Sequence, residues 1–230
     1  IVSGEFWASG NLGAIELKAA SSAAHIYGHK TVMSESFTAG RGDAFKNHFW
    51  NYKKRGDWSF VEGINHTLLH VYIQQGYEDK KPGVNAWFGS EFNRHNTWFD
   101  YMGGWLDYIK RSNYMMQQGN YVADIMYFIG EDAPKMTGEI KPALPAGYSY
   151  DFINAEVILH GLSVVDGQFV LTSGARFKLL VLPDITTMRP EVLAKIKQLV
   201  AKGGAIYGPK PRHSPSLQGF PQADQHVSKL

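Results

Sequence analysis

Three glutamates fall where a β-prone run meets a loop: Glu5 in Glu5-Phe6-Trp7, Glu35 in Thr31-Val32-Met33-Ser34-Glu35, and Glu91 in Phe88-Gly89-Ser90-Glu91-Phe92. A carboxylate at the tip of a buried strand is costly unless a partner or substrate needs it, because burial strips water from the charge. Glu5 and Glu35 are thirty positions apart, about one βα repeat, so on neighbouring parallel strands both side chains would face one cavity. Such a pair suits acid/base hydrolysis of a glycosidic bond, one carboxyl protonated and the other ionised. It suits equally a hard cation held through oxygen. An ordinary solvated glutamate at a strand end is the plain alternative, and spacing alone does not choose.

Polar groups that could read a ligand follow. His66 and His70 are four apart, which on a helix suggests a metal pair, but the β-branched and apolar surroundings favour a strand, where even spacing still puts both on one face. They could line the rim of a cavity or hydrogen-bond a polyhydroxylated ligand; one buried and one surface histidine is the alternative. Arg94 sits among Asn93, His95, Asn96, Thr97 and Trp98, a polar cluster beside an aromatic, suited to hydroxyl recognition. Asn96 could equally be a helix cap.

The elements that position these groups alternate short β-prone runs with helical ones, the pattern of parallel βα units. An Ala-rich helix over 14–27 follows Glu5-Phe6-Trp7; a strand ends at Glu35; Gly40-Arg41-Gly42 turns the chain; and Asp43 is the expected N-cap of a helix carrying Phe45, Phe49, Trp50 and Tyr52. Residues 67–72 read as a buried strand before a long loop with Gly76, Pro82 and Gly83, and 96–118 as a helix whose Trp98, Tyr101, Met102, Trp105, Tyr108 and Ile109 make a core stripe. After Gly119 the character changes. A buried strand over 121–130, a Pro- and Gly-rich loop through Gly147, a helix over 154–161, a strand over 178–184, a helix over 190–202 and a strand over 205–208 describe a small doubly wound sheet. The expected division is 1–119 and 120–230.

Composition narrows the classes. With 44% hydrophobic residues in 230, the chain can bury a substantial core, which excludes disorder. A net charge of +2 without a basic run leaves no footprint for nucleic acid. The absence of cysteine excludes disulfides, thiolate metal sites and cysteine nucleophiles. The apolar stretches are too short to span a bilayer. Nucleotide-binding, serine-hydrolase and zincin motifs are missing. The chain opens on Ile1 without an initiating Met and stops in a polar stretch, so it reads as a piece of something longer, and a missing signal segment says nothing about export.

The ordered series Glu35-Ser36-Phe37-Thr38, Gly63-Ile64-Asn65-His66, Leu69-His70-Val71-Tyr72, Phe92-Asn93-Arg94-His95-Asn96-Thr97-Trp98, Trp105-Leu106-Asp107-Tyr108, Gly130-Glu131-Asp132-Ala133-Pro134, Leu180-Val181-Leu182-Pro183 and Gly208-Pro209-Lys210-Pro211 resembles the α-L-rhamnosidases of glycoside hydrolase family 106. The resemblance runs from Glu5 to about Leu217. It implies an α/β fold, the C-terminal portion of a (β/α)8 barrel followed by a small flavodoxin-like domain. It further implies an inverting hydrolase of terminal α-L-rhamnosides in oligosaccharides or polysaccharides, with a calcium ion near the substrate and a periplasmic or extracellular parent protein.

Carried over residue by residue, Glu35 is the expected general base and Glu5 a calcium-binding carboxylate. His66, His70, Arg94 and Trp50 are the substrate-binding candidates, and Glu91 has a minor binding role. The general acid is expected upstream of Ile1, so the isolated chain should be inactive. Two other classes stay open: a carbohydrate-binding or degenerate homologue that has lost the acid, and an oligomerisation or small-molecule module built on the second half. The sequence does not give an oligomeric state.

Overall fold

The structure, a computed structural model, describes residues 1–10, 14–132 and 140–230. The chain divides into two compact units, Ile1–Ala24 with Lys30–Gly119, and His25–His29 with Asn120–Leu230. Each is a mixture of helices and parallel strands. Among the described residues no helix is long and apolar enough to cross a membrane.

In the first unit the order is β1 (Val2–Trp7), α1 (Ala14–Tyr27), β2 (Val32–Thr38), α2 (Phe49–Val61), β3 (His66–Leu69) and α3 (Met102–Met116). The strands form one sheet in the order β1-β2-β3, all parallel, with Glu5 opposite Glu35 and Glu35 opposite Leu68. Alternation along the strands separates two faces. One carries Gly4, Phe6, Val32, Ser34, Ser36 and Thr67 and receives the helices. A Cβ at Gly4 would lie 3.0 Å from the Glu16 carbonyl oxygen of α1, so glycine there lets α1 seat close to the sheet. Thr67 Oγ1 meets Asn113 Oδ1 of α3 at 3.2 Å.

The other face carries Ser3, Glu5, Met33, Glu35, His66 and Leu68. No helix of the described residues covers it, and Leu68 is 51% exposed. Between the sheet and its helices lies an aromatic core of Phe6, Phe37, Tyr52, Phe92 and Trp105; of the expected helical stripe Met102, Trp105 and Ile109 are buried in it, whereas Tyr101 is 77% exposed.

The second unit contains β4 (Ile125–Phe128), β5 (Tyr150–Ile153), α4 (Ala155–Gly161), β6 (Leu162–Val165), β7 (Gln168–Leu171), β8 (Arg176–Phe177), β9 (Leu179–Val181), α5 (Pro190–Ala201), β10 (Ala205–Tyr207) and α6 (Gln222–Lys229). Its main sheet is parallel, in the order β10-β9-β4-β5, and a second, antiparallel sheet is ordered β6-β7-β8. The chain therefore reverses its direction of travel across the sheet between β4 and β9. The Asn154 side chain accepts from Val157 N–H at 3.0 Å, capping α4. Pro190 occupies the first turn of α5.

Several expectations are corrected. β2 does not stop at Glu35 but runs on to Thr38. Asp43 caps no α-helix: it closes a 3-10 turn, Arg41–Asp43, and α2 begins six residues later with His48 as its cap. The strand read over 67–72 is shorter and ends at Leu69. The helix read over 96–118 starts with a 3-10 turn, Phe99–Tyr101. β5, α6 and the antiparallel sheet were not expected. The Asp166-Gly167 turn between β6 and β7 has φ of 52° and 73°, the left-handed pair that a tight hairpin requires. Ala133 and Pro134, and part of the loop read through Gly147, lie outside the described residues.

Candidate active site

The geometry begins with an irregularity in β2. Phe6 pairs with Ser36 but Trp7 pairs with Thr38, so Phe37 is an extra residue, a β-bulge. Its φ is 68°, in the left-handed region that costs a bulky residue about 1–3 kcal/mol. Packing holds it there: the Phe37 ring is 1% exposed and lies 4.9 Å from Phe6, 5.3 Å from Tyr52 and 5.4 Å from Trp105 between ring centres. Even α2 accommodates it, since a Cβ at Gly56 would stand 3.2 Å from its Cζ.

The bulge decides what faces Glu35. In an unbroken strand Phe37 would share the face of Glu35 and Thr38 would point to the helices. With one residue inserted, Phe37 goes into the core and Thr38 comes round. Thr38 Oγ1 donates to Glu35 Oε1 at 2.8 Å and lies 3.2 Å from His70 Nδ1. Since the hydroxyl proton goes to the carboxylate, a hydrogen bond between the two groups requires Thr38 to accept from Nδ1–H. His70 Nδ1 is itself 3.6 Å from Glu35 Oε1. Glu35, Thr38 and His70 thus form one hydrogen-bonded group at the C-terminal edge of the sheet. His70 is held from behind by Phe88, whose ring stacks on it at 5.3 Å.

Glu5 occupies the neighbouring place on β1. Its Oε1 accepts from Trp7 Nε1 at 2.6 Å, and the Trp7 carbonyl accepts from Arg55 Nε at 2.7 Å. Arg55 lies 3.9 Å over the Trp58 ring. Burial pulls its guanidinium below the usual value. Glu5 Oε2 takes no hydrogen bond from the described residues, so it can reach a ligand on the face shared with Glu35.

The other candidates are placed differently. His66 stands opposite Met33 at the start of β3; four residues of strand put it roughly 13 Å below His70. Both histidines face the same side, but only His70 reaches Glu35. Arg94 donates to the Gln75 carbonyl at 2.7 Å and pairs with Glu78 at 2.7 Å, a brace across the long loop. Its guanidinium draws the exposed Glu78 carboxyl below the ordinary value. Trp50 lies on the first turn of α2, 76% exposed.

Glu91 is 4% exposed; its oxygens accept from Phe45 N–H and the Asn85 amide, each at 3.0 Å. Nearby, burial pushes the Tyr52 phenol up to about 12 and the Glu91 charge adds to it, against a Ser90 hydrogen bond that lowers it. Thr38, Trp7 and Phe88 were not anticipated. The sequence offered only the polar and aromatic run that contains them.

Calcium takes six to eight oxygens, and among the described residues no cluster of three or more acidic or histidine side chains could hold a metal. Glu5 Oε2 is one open hard-oxygen donor, a single contribution to a shell of that size.

Comparison with known proteins adds three findings. A family model described as alpha-L-rhamnosidase, glycoside hydrolase family 106, matches residues 1–230. A protein of Formosa agariphila named "Putative beta-glucuronidase" is 37% identical over 231 residues, covering 100% of this chain and 20% of that protein. The solved rhamnosidase of Novosphingobium sp. PP1Y superposes with a TM-score of 0.88 at 32% identity, over 100% of this chain and 23% of that one. The chain thus spans about a fifth of the length of the relatives it matches.

Proposed function

Since the chain belongs to glycoside hydrolase family 106, the α-L-rhamnosidases, we propose that it supplies the base side of an active site that hydrolyses terminal α-L-rhamnosides with inversion. The observation that supports this reading is the Glu35–Thr38–His70 group, a carboxylate oriented by a hydroxyl on the open face of a parallel sheet. In this reading β1, β2 and β3 are staves of a (β/α)8 barrel and the open face is its interior. The parallel sheet ordered β10-β9-β4-β5 is the flavodoxin-like domain.

Glu35 takes a proton from water as the water attacks the anomeric carbon. Thr38 fixes Oε1, so the other oxygen, Oε2, is the one presented to water. His70 holds the Thr38 hydroxyl in its donating orientation. Glu5, fixed through Trp7, is the residue of this chain that would contribute to holding a calcium ion. The chemistry such an ion would supply when bound is orientation of the sugar hydroxyls and compensation of developing charge. No residue of this chain is assigned as the general acid.

The register of Glu5 beside Glu35 favours one second reading. Strands about 4.8 Å apart bring neighbouring carboxylates near the separation of about 5–5.5 Å used by retaining glycosidases. Proton NMR of the first-formed sugar, with the full-length protein and an aryl α-L-rhamnoside, separates the two. Inversion supports the base role of Glu35, and net retention replaces it with a nucleophile. An aryl β-glucuronide serves as the competing substrate, and turnover of it alone removes the rhamnoside assignment.

A further inference from the structure

In the second unit the carboxyl ends of β9 and β10 meet the loop at Lys141 and Pro142 around a cavity of about 520 Å³, whose wall also includes Asp184, Tyr207 and Gly208. Open parallel sheets bind ligands outside the carboxyl ends of their strands, and this cavity lies one strand from the point where the strand order reverses, between β4 and β9. Its size is that of a small-ligand site.

The sheet explains why the cavity is open. Phe152, Tyr127, Val181 and Tyr207 pair in one row across β5, β4, β9 and β10 and share a face. The helices α4 and α5 pack against the opposite face, around Met126, Ile153 and Leu180. On the Tyr127 face only loop residues such as Ile140 and Leu144 pack against the row, and the Tyr127 hydroxyl donates to the Pro142 carbonyl at 2.7 Å, which ties that loop to β4. Phe152, Tyr127 and Val181 are thereby buried, while Tyr207 at the end of the row is 57% exposed. Backbone holds this ring in place. The Leu182 N–H donates to the Tyr207 carbonyl at 2.8 Å, and Gly208, at φ 146°, lets the chain leave β10 close to β9, where a Cβ would stand 2.7 Å from that of Leu182. Asp184, just after β9, is exposed, and among the described residues no ion pair engages its carboxylate.

We propose that this cavity is a second carbohydrate site, one that binds a neutral pyranose and cuts nothing. The Tyr207 ring takes the C–H face of the sugar, and Asp184 accepts from two adjacent hydroxyls, charge-assisted contacts that a carboxylate makes well. The Lys141 ammonium on the same wall disfavours a cation. Asp184 is the one carboxylate that lines the cavity, where glycoside hydrolysis uses a pair, so the sugar is held without being cleaved. None of these residues belongs to the Glu35 group, so the site does not depend on the hydrolase reading.

The test is calorimetry with the full-length protein. Methyl β-D-glucopyranoside, methyl β-D-galactopyranoside and tetramethylammonium are titrated into wild type, Tyr207→Ala, Tyr207→Phe and Asp184→Ala, each checked by its melt. The expected result is a glycoside bound with a Kd of about 1–10 mM, the scale of one stacked ring and a pair of hydrogen bonds. Binding is at least about tenfold weaker in Tyr207→Ala and in Asp184→Ala and is kept in Tyr207→Phe, which retains the ring. Failure of both glycosides to bind, binding that survives in Tyr207→Ala, or tetramethylammonium bound in their place overturns the proposal. A protein inactive on every rhamnoside that still binds a glycoside through Tyr207 keeps this site and loses the hydrolase reading.

Discussion

Replacing Thr38 with valine removes one hydroxyl and keeps the shape of the side chain. Thr38 is 1% exposed, so valine fills the same space and the bulge should survive. What is lost is the hydrogen bond to Glu35 Oε1 at 2.8 Å and the acceptor for His70 Nδ1 at 3.2 Å. A hydrogen bond to a charged group contributes about 1.5–3 kcal/mol. The Glu35 side chain is 38% exposed, so water replaces part of it, leaving about 1–2 kcal/mol of lost orientation.

If that loss falls on the transition state, kcat drops roughly 5–30-fold. The assay is steady-state turnover of an aryl α-L-rhamnoside by the full-length protein, with thermal melting as the control for folding. Thr38→Ser, which keeps the hydroxyl, should recover most of the rate. The reasoning is refuted if Thr38→Val turns over within twofold of wild type with an unchanged melt, or if serine and valine lose activity equally.

Phe37→Ala should destabilise the protein by about 3–5 kcal/mol, since it empties the centre of the aromatic core and leaves a Cβ in the same left-handed backbone; a loss below about 1 kcal/mol in chemical denaturation would contradict that packing. The Tyr52 phenol, raised by burial to about 12, keeps its proton in the folded state while an unfolded tyrosine loses it near 10. Stability from this group is therefore present below pH ~10 and is lost as pH rises toward about 12, some 2–3 kcal/mol in all. Melts of wild type and Tyr52→Phe across that window should converge in slope only below it, and parallel curves throughout would contradict the shift. Calcium removal by chelation should abolish turnover reversibly, and Glu5→Gln should weaken calcium binding in a direct titration; turnover indifferent to the chelator removes the ion from the account.

The parallel pairing of Glu5 with Glu35 was legible because thirty residues of strand, helix and strand bring equivalent points into register, whatever the details between. The group around Glu35 was not, because it depends on the bulge. A left-handed residue is announced in sequence by glycine or asparagine; here it is phenylalanine, held by tertiary packing that no local pattern displays. Thr38 therefore read as the residue after an active-site edge, when it is the hydroxyl that orients the carboxylate.

Arg94 shows a different gap. A polar cluster beside a tryptophan suggests ligand recognition, and it does not display the loop contacts that the guanidinium makes with Gln75 and Glu78. Asp43 failed as a cap for a backbone reason: Phe45 at φ 55° breaks the run before α2 can start. By contrast, Asp166-Gly167 carried a readable hairpin signal, and the antiparallel sheet follows from it.

The claim at the centre is that Glu35 is the general base. It is tested most directly by the turnover number of Glu35→Gln in the full-length protein on an aryl α-L-rhamnoside, with folding confirmed by its melt. Glutamine keeps the shape and can still accept from Thr38, but it cannot take a proton from water. The predicted result is a fall of about 10²–10⁴-fold with the fold intact. Turnover close to wild type would contradict the assignment.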